Sequence, residues 1–352
     1  MLKFAATLLT TVLSATAVLA GDQIGFKEIT VADASRPLHV ALWYPTDAAG
    51  PLVNVAENGV FYGVAAIKDA VPQQDAHPLI VLSHGYGGSW RNLSWLAGAL
   101  AQKGYVVAVP DHPGTTFRDR DPAKAARLWE RPRDLSRSID ALIADPQLAG
   151  GIARDRIAAI GHSLGGWTAA EIAGARFDAD LIMPDCDKRF GAVACKVFAE
   201  LGLGQSAGAT ETLRGDLSDQ RIGAAVTLDL GPARGFTLES LARMRVPFLV
   251  IAAGADVDKA TATQGQIAAT NEDSRYIAQH LPKATSPYEE IADSLHFSFM
   301  QICKPGAVEI IREEAPGEEF VCRDGGTRGR QAIHEETVRM ITAFLGKSLP
   351  EK

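Results

Sequence analysis

The sequence has few cysteines, no run of charge of one sign and, after its first twenty residues, no apolar run long enough to span a membrane. Its 35 basic and 42 acidic residues leave a net charge of -7 and are mixed along the chain, so a nucleic-acid-binding surface is not expected. None of its four cysteines stands in a C-x-x-C pair, which argues against a zinc site. The hydrophobic fraction of 47% instead predicts a globular protein with a large core.

The first twenty residues differ from the rest of the chain. Lys3 gives a short positive start, Phe4 to Leu19 is apolar, and the stretch ends in the small residue Ala20. This pattern predicts a signal peptide at 1–20, a mature chain that starts near Gly21, and export to the periplasm or the medium. A membrane anchor is the alternative, but the interspersed Thr and Ser residues weaken it. No integral membrane segment is expected in the mature chain.

Export changes what the four cysteines imply, because thiols pair in an oxidising compartment. Four cysteines allow three connectivities. The preferred pairing joins neighbours, Cys186 with Cys195 and Cys303 with Cys322, since each pair brackets one loop segment that closure would stabilise.

Short apolar or β-branched runs alternate with amphipathic stretches of helical length. The predicted strands are Leu38 to Tyr44, Leu79 to Ser83, Tyr105 to Val109, Arg156 to Ile160, Ala224 to Leu228 and Phe248 to Ala252. The predicted helices are Leu93 to Lys103, Arg133 to Ala144, Leu164 to Ala175, Asp273 to Leu281 and Gln331 to Gly346. This alternation predicts an α/β fold in which a mostly parallel sheet is flanked by helices on both faces.

Two stretches break the alternation. Phe177 to Ile222 is long, and we interpret it as a cap insertion with helices of its own, such as Ala192 to Leu201, because long structureless loops are unusual in compact domains. Cys303 to Gly329 is expected to be irregular. The predicted organisation is therefore a signal peptide followed by one domain at 21–352 that carries the cap.

A serine motif marks the first candidate for chemistry. Residues 161–165 read GHSLG and match G-x-S-x-G, in which the serine sits on a sharp turn from strand into helix. Residues 204–208 (GQSAG) match as well, so context must decide. A strand run precedes Ser163 and a helical run follows it, whereas Ser206 comes after a helical segment. Ser163 is therefore the predicted nucleophile and Ser206 a loop residue.

A serine nucleophile needs a histidine base that is held by a carboxylate, in the chain order Ser, acid, His. Three histidines follow Ser163. His280 and His334 lie in helical runs, which indicates surface or packing roles, whereas His296 lies in a loop after an expected strand. His296 is therefore the predicted base.

Three carboxylates are candidates for the acid. Asp256 follows the strand Phe248 to Ala252 at its carboxyl end, where such folds keep their chemistry, and it is the first choice. Asp258 is close behind it, and Asp229 follows the preceding strand, so both stay open.

The reaction also needs amide donors for an oxyanion. The Leu164 amide, next to the nucleophile, is one candidate. The other is the Tyr86 amide in the glycine-rich loop 83–89 (SHGYGGS), which directly follows a predicted strand. This loop lacks the Lys and Ser/Thr of a phosphate-binding loop, so a nucleotide cofactor is not expected.

With these groups assembled, the chain resembles the bacterial dienelactone-hydrolase-like serine esterases of the α/β-hydrolase superfamily, relatives of platelet-activating-factor acetylhydrolases and polyester-degrading cutinases. The residues that carry the resemblance are 83–88 (SHGYGG), 110–114 (PDHPG), 161–166 (GHSLGG) and 296–299 (HFSF). The resemblance implies the α/β-hydrolase fold, a Ser-His-Asp esterase without metal or organic cofactor, and Asp256 as the acid.

Two departures from the family limit this resemblance. True dienelactone hydrolases have a cysteine nucleophile, so Ser163 argues against that substrate. The acetylhydrolases keep their acid after the earlier strand, where this chain has Asp229, and the choice of acid therefore stays open.

Several further residues have two interpretations. Asp111 and His112 end a strand at the same rim, but one such pair offers too few ligands for a metal, and a hydrogen-bonded structural histidine is the commoner case. The tryptophans could line an acyl pocket or pack in the core: Trp90, Trp95, Trp129 and Trp167.

The predicted function is hydrolysis of a small carboxylic ester, with a lipid or a polyester as the alternative substrate. Amidase and thioesterase activities need the same groups and stay open. From another class, the rival is a catalytically silent binding protein of the same fold.

Overall fold

The computed structural model describes residues 23–188, 199, 207–255 and 271–350. Its strands are β1 (Ile24–Val31), β2 (Leu38–Pro45), β3 (Leu52–Val55), β4 (Val64–Lys68), β5 (Ala76–Ser83), β6 (Val106–Pro110), β7 (Gly151–His162), β8 (Ile222–Leu228), β9 (Phe248–Ala253) and β10 (Tyr288–Ile291). Its helices are α1 (Ser94–Ala101), α2 (Pro122–Ala125), α3 (Glu130–Ala144), α4 (Leu164–Ile172), α5 (Ala179–Lys188), α6 (Ala207–Arg214), α7 (Leu238–Ala242), α8 (Glu272–His280), α9 (Ala307–Glu314) and α10 (Arg330–Ser348).

The strands form one sheet in the order β10-β9-β8-β7-β5-β6-β2-β1-β4-β3. The six strands from β10 to β6 are parallel, whereas β2 pairs antiparallel with both β6 and β1. Because parallel strands point the same way, β5, β6, β7, β8, β9 and β10 all end at one edge. The loops after these strands therefore meet there.

Apolar side chains cover both faces of the sheet. Along β5, Leu79 and Val81 face one helical layer while Ile80 and Leu82 face the other, as the two-residue period of a strand requires. The first layer includes Leu135 of α3, and the second includes Leu345 of α10. A strand buried on both faces has a continuously apolar sequence, which explains why β5 could be recognised from its residues alone.

The predicted α/β architecture is confirmed. Each of the six predicted strands lies within one residue of an observed strand or inside it, and the five predicted helices correspond to α1, α3, α4, α8 and α10. Strands β1, β3 and β4, which extend the sheet beyond β2, were not predicted.

The expectation that Cys303 to Gly329 is irregular was wrong for two segments of it. This stretch contains α9 and a short 3-10 turn at Glu319–Cys322. Helix α9 begins directly after Gly306, whose φ of 82° lies in the left-handed region that favours glycine. The helix buries Ala307 and Ile311. The predicted disulfide between Cys303 and Cys322 is present and closes this segment.

Part of the predicted cap is described, and it packs closely. Phe177, Ile182 and Leu213 are buried in the same apolar cluster as Trp167. Ala192 to Leu201 lies outside the described residues except for position 199, and so do Cys195, Ser206 and the predicted signal peptide at 1–20. The Cys186–Cys195 pairing and the extent of the cap therefore stay predictions. Within the described ranges, no helix combines the length and apolar character of a membrane span.

Candidate active site

Ser163 lies at the tight turn that joins β7 to α4. Its φ of 57° and ψ of -123° are rare for a residue with a side chain, and the surrounding backbone must hold it there. A Cβ added at Gly161 would lie 1.9 Å from the Gly165 carbonyl oxygen, and one at Gly165 would lie 1.9 Å from the Ser83 carbonyl oxygen. The glycines of the motif are therefore needed because backbone packs against backbone. Ser163 itself is half-buried.

His296 and Asp229 form a hydrogen-bonded pair at the same edge of the sheet. The His296 Nδ1 atom donates to Asp229 Oδ2 at 2.6 Å, and the two side chains are 12% and 3% exposed. Asp229 Oδ1 accepts from the Ala253 amide at 3.1 Å, which orients the carboxylate from its other side. With the proton on Nδ1, Nε2 of a neutral His296 carries a lone pair and can accept a proton.

The structure thus brings Asp229, the alternative acid, into contact with the predicted base. Asp256, the first choice, lies outside the described residues, as does Asp258. Asp229 directly follows β8 and has a φ of 43°, an unusual backbone position for a residue with a side chain.

His162 ties the serine turn to the histidine loop. Its Nε2 donates to the His296 carbonyl oxygen at 2.8 Å, and the two rings lie 4.7 Å apart. Burial, helped by the neighbouring His296, holds the pKa of His162 well below its usual value, so the ring is neutral. The Ser163 amide donates to the Leu228 carbonyl oxygen at 3.1 Å, directly before Asp229. These contacts join the serine, acid and histidine segments.

Side chains of α1 and α10 hold the 3-10 turn at His296–Phe299 through its carbonyl groups. Trp95 Nε1 donates to the Phe299 carbonyl oxygen at 2.9 Å, and His334 Nε2 lies 3.0 Å from the carbonyl oxygens of both Ser298 and Met300. His334 is buried and stacks on Trp95 with 3.5 Å between ring centroids. Of the two roles predicted for His334, surface or packing, the structure thus shows the second.

The glycine-rich loop after β5 lies against the serine. A Cβ added at Gly85 would sit 3.1 Å from the Ser163 Cβ. Tyr86 follows directly and is half-buried, while Leu164 is buried at the start of α4. The amides of Tyr86 and Leu164 stay the predicted oxyanion donors.

The other candidate residues are held by hydrogen bonds or are buried in the core. His112 is fully buried, and its ring lies 2.9 Å from Ser83 Oγ and 3.0 Å from Asp134 Oδ2. Asp111 accepts from the Trp90 amide at 2.8 Å. In the described part of the chain, no three His, Cys, Asp or Glu side chains are grouped as a metal site would require. Three of the tryptophans are buried in the core: Trp90, Trp95 and Trp167.

One group at this edge was missed. Arg131 and Asp134 of α3 lie under the glycine-rich loop, 1% and 0% exposed, among Ser83 and His112. In the sequence both look like surface charges on an amphipathic helix, and no motif distinguishes them.

Comparisons with known proteins agree with this architecture. The model of a family described as "Alpha/beta hydrolase family" matches residues 80–301. Cutinase cut1 of Thermobifida fusca is 27% identical over 172 residues, which are 44% of this chain and 51% of that protein. Cutinase est2 of Thermobifida alba is 29% identical over 114 residues, 32% of this chain and 35% of that one. The chain thus spans about half the length, or less, of these curated relatives.

Among solved structures, a ferulic acid esterase from Streptomyces cinnamoneus aligns with a TM-score of 0.60 over 96% of this chain and 92% of that one. The identity is 21%, so this likeness shows a shared fold. The narrower resemblance to dienelactone-hydrolase-like proteins stays a prediction.

Proposed function

Because the chain belongs to the alpha/beta hydrolase family, we propose that it is a serine-dependent carboxylic ester hydrolase with Ser163 as nucleophile, His296 as base and Asp229 as acid. The observation that carries the proposal is the pair between His296 Nδ1 and Asp229 Oδ2 at 2.6 Å, next to a serine held on a strained turn. Asp229 replaces Asp256 as the preferred acid because its carboxylate contacts the histidine ring.

The proposed reaction has two steps. His296 Nε2 takes the proton of Ser163 as the hydroxyl attacks the ester carbonyl, and the amides of Tyr86 and Leu164 bind the resulting oxyanion. His296 then gives the proton to the leaving alcohol, which departs and leaves an acyl-enzyme. Water, activated by the same ring, releases the acid. The ionised Asp229 holds the ring and stabilises its charged form.

The substrate class has support from two sides. Cutinases are among the relatives, and an esterase shares the fold, which favours carboxylic esters. Phe117 is 50% exposed, and its amide donates to the Gly88 carbonyl oxygen at 3.2 Å, so an exposed aromatic residue lies where its segment pairs with the glycine-rich loop. An exposed aromatic residue in this segment supports the alternative, a polyester or lipid surface as substrate.

The proposal extends to segments that lie wholly or partly outside the described residues. We propose that residues 1–20 direct export and that 177–222 form a cap over the site. The disulfide between Cys303 and Cys322 supports an oxidising compartment.

A serine probe separates the enzyme from a silent binding protein. The purified mature chain should hydrolyse p-nitrophenyl acetate and be labelled by a fluorophosphonate, and Ser163→Ala should lose both while keeping its circular dichroism spectrum. An unlabelled wild-type protein, or a Ser163→Ala variant with undiminished turnover, would refute the assignment. A panel of short esters, long-chain esters and a polyester film would then identify the substrate class.

A further inference from the structure

The peptide bond between Gly85 and Tyr86 is held by its carbonyl group. The Gly85 oxygen accepts from His84 Nδ1 at 2.8 Å and from the Gly88 amide at 3.1 Å. In a trans peptide the C=O and N–H groups point in opposite directions, so fixing the carbonyl also fixes the direction of the Tyr86 N–H. Since Gly85 lies against Ser163, this amide is held beside the serine.

The hydrogen bonds of His84 allow only one arrangement of its protons. The His112 amide donates to His84 Nε2 at 3.1 Å, so that nitrogen carries no proton. The hydrogen on Nδ1 then donates to the Gly85 carbonyl, which can only accept. Burial, together with the charge of Arg131, lowers the pKa of His84 to about 4, so the ring is neutral at physiological pH.

The neighbouring peptide is held as well. Arg131 Nη2 donates to the His84 carbonyl oxygen and, at 3.2 Å, to Ser83 Oγ. The guanidinium is oriented from the other side by Thr115 Oγ1 at 2.5 Å and Thr168 Oγ1 at 2.9 Å. Thr168 belongs to α4, the helix that follows Ser163. The loop and the serine turn therefore share one buried anchor.

His112 and Asp134 complete this buried network. The Asp134 carboxylate accepts two bonds from Arg36, at 3.0 and 2.7 Å. Because an ionised carboxylate can only accept, His112 Nδ1 must carry the proton of its bond to Asp134. The free lone pair on His112 Nε2 then accepts the Ser83 hydroxyl hydrogen at 2.9 Å. Every bond in the chain from Asp134 to Gly85 consequently has a fixed donor and a fixed acceptor.

We propose that His84 is a positioning residue, which orients the Gly85–Tyr86 peptide so that the Tyr86 N–H faces the oxyanion. This inference rests on the proposed ester hydrolysis. His84 has no direct chemical role, because it is fully buried and both of its ring nitrogens are used by the backbone. A donor that is already oriented contributes most in the transition state, where the charge develops. Losing its orientation should lower kcat and leave KM nearly unchanged.

Two amide replacements test the role of the Nδ1 donor. In His84→Asn the side-chain NH₂ sits where the Nδ1 of histidine sits and can still donate to the Gly85 carbonyl. In His84→Gln the longer amide reaches the position of Nε2, so it can accept from the His112 amide but leaves the Gly85 carbonyl without that donor. Both replacements are polar and of similar volume, so they form a matched pair.

The expected result is a kcat for His84→Gln that is about 10- to 100-fold below wild type, less than the about 10²- to 10³-fold loss caused by removing an oxyanion donor outright, because the amide stays but loses its orientation. KM should change by less than about threefold, and His84→Asn should recover kcat to within about fivefold of wild type. Thermal unfolding of both variants shows whether they are folded. The rate of fluorophosphonate labelling should follow kcat.

Equal loss in the two variants would assign His84 a merely structural role, and an unchanged kcat in His84→Gln would also overturn the inference. The Ser163→Ala variant separates these failures from a failure of the proposed function. If Ser163→Ala is inactive while both His84 variants match wild type, the esterase assignment survives and only the positioning role is lost.

Discussion

The protein contains two sets of serine, histidine and aspartate at the same edge of its sheet, and they differ in exposure. Ser83, His112 and Asp134 are hydrogen-bonded in series and are all 0% exposed. In the other set, Ser163 is half-buried on a strained turn and His296 is 12% exposed while bonded to Asp229. The same residue types can therefore form a sealed structural network or a partly exposed candidate site.

The two sets also differ in their neighbours. In the sealed set, Arg36 and Arg131 surround the aspartate and serine, and each group has its bonds satisfied within the core. In the accessible set, the carboxylate faces one histidine, and no arginine or lysine within the described ranges forms an ion pair with Asp229. We conclude that side-chain access and backbone strain, more than the presence of a Ser-His-Asp series, identify the candidate catalytic site.

Replacing the two serines gives the sharpest contrast. Ser163→Ala should lower kcat for p-nitrophenyl acetate by at least about 10⁴-fold, because the nucleophile is lost. Ser83→Ala should keep kcat within about tenfold of wild type but cost about 1–3 kcal/mol in the free energy of unfolding, since His112 and Arg131 each lose a partner. Steady-state kinetics and urea unfolding measure both effects. A large kcat loss in Ser83→Ala with unchanged stability would contradict the comparison.

Replacing the proposed acid should change activity and not stability. Asp229→Asn should reduce kcat by about 10³- to 10⁴-fold, because the amide no longer stabilises the charged histidine, and should leave stability nearly unchanged. Asp256→Asn is the matched control and should keep near-wild-type kcat. If Asp256→Asn instead shows the large loss, the acid is the residue that the sequence analysis first preferred.

Asp134→Asn should show the opposite behaviour. Removing this carboxylate leaves the guanidinium of Arg36 without its buried partner, which typically costs about 3–5 kcal/mol. Activity per folded molecule should fall far less than in Asp229→Asn. The free energy of unfolding and kcat, measured for Asp134→Asn and Asp229→Asn side by side, test whether the first loses stability and the second loses activity. Equal stability of the two variants would show that the network around Asp134 does not stabilise the fold.

Much of this arrangement could be predicted from the sequence. The parallel strands are buried on both faces, so their apolar runs stand out, and Ser163 was distinguished from Ser206 by the strand and helix that flank it. His296 was found by the order of residues along the chain and by its place in a loop.

The acid and the buried network could not be predicted in the same way. Asp229 and Asp256 follow neighbouring strands, and spacing does not show which of the two reaches the histidine ring. Arg131 and Asp134 lie one turn apart on a helix, where charges usually face solvent. Only tertiary packing, which brings α3 beneath the loop after β5, shows that they are buried.

The smallest predicted effect concerns pH and the buried histidine behind the His296 loop. Burial lowers the pKa of His334 to about 3 from the ordinary 6.5, so the unfolded chain binds a proton between these values and the folded protein does not. Stability should therefore fall as pH falls below about 6.5, with His334 contributing up to about 1.4 kcal/mol per pH unit. In His334→Gln, the free energy of unfolding measured between pH 4 and 6 should depend less steeply on pH.

His39 supplies a control of opposite sign for this pH experiment. The carboxylates of Asp111, 3.4 Å from Nδ1, and Glu28, 2.9 Å from Nε2, raise the pKa of His39. His39 therefore adds stability below its ordinary pKa, and that contribution is lost as pH rises. Between pH 4 and 6 the His39 ring is charged in both the folded and the unfolded chain, so His39→Gln should leave the slope there nearly unchanged, whereas His334→Gln makes it shallower. Above about pH 6.5, His39→Gln should remove a loss of stability that the wild type shows as pH rises. If His39→Gln flattened the slope between pH 4 and 6 as much as His334→Gln does, the pH dependence would reflect the number of histidines rather than their burial, and the contrast between sealed and accessible rings would not extend to stability.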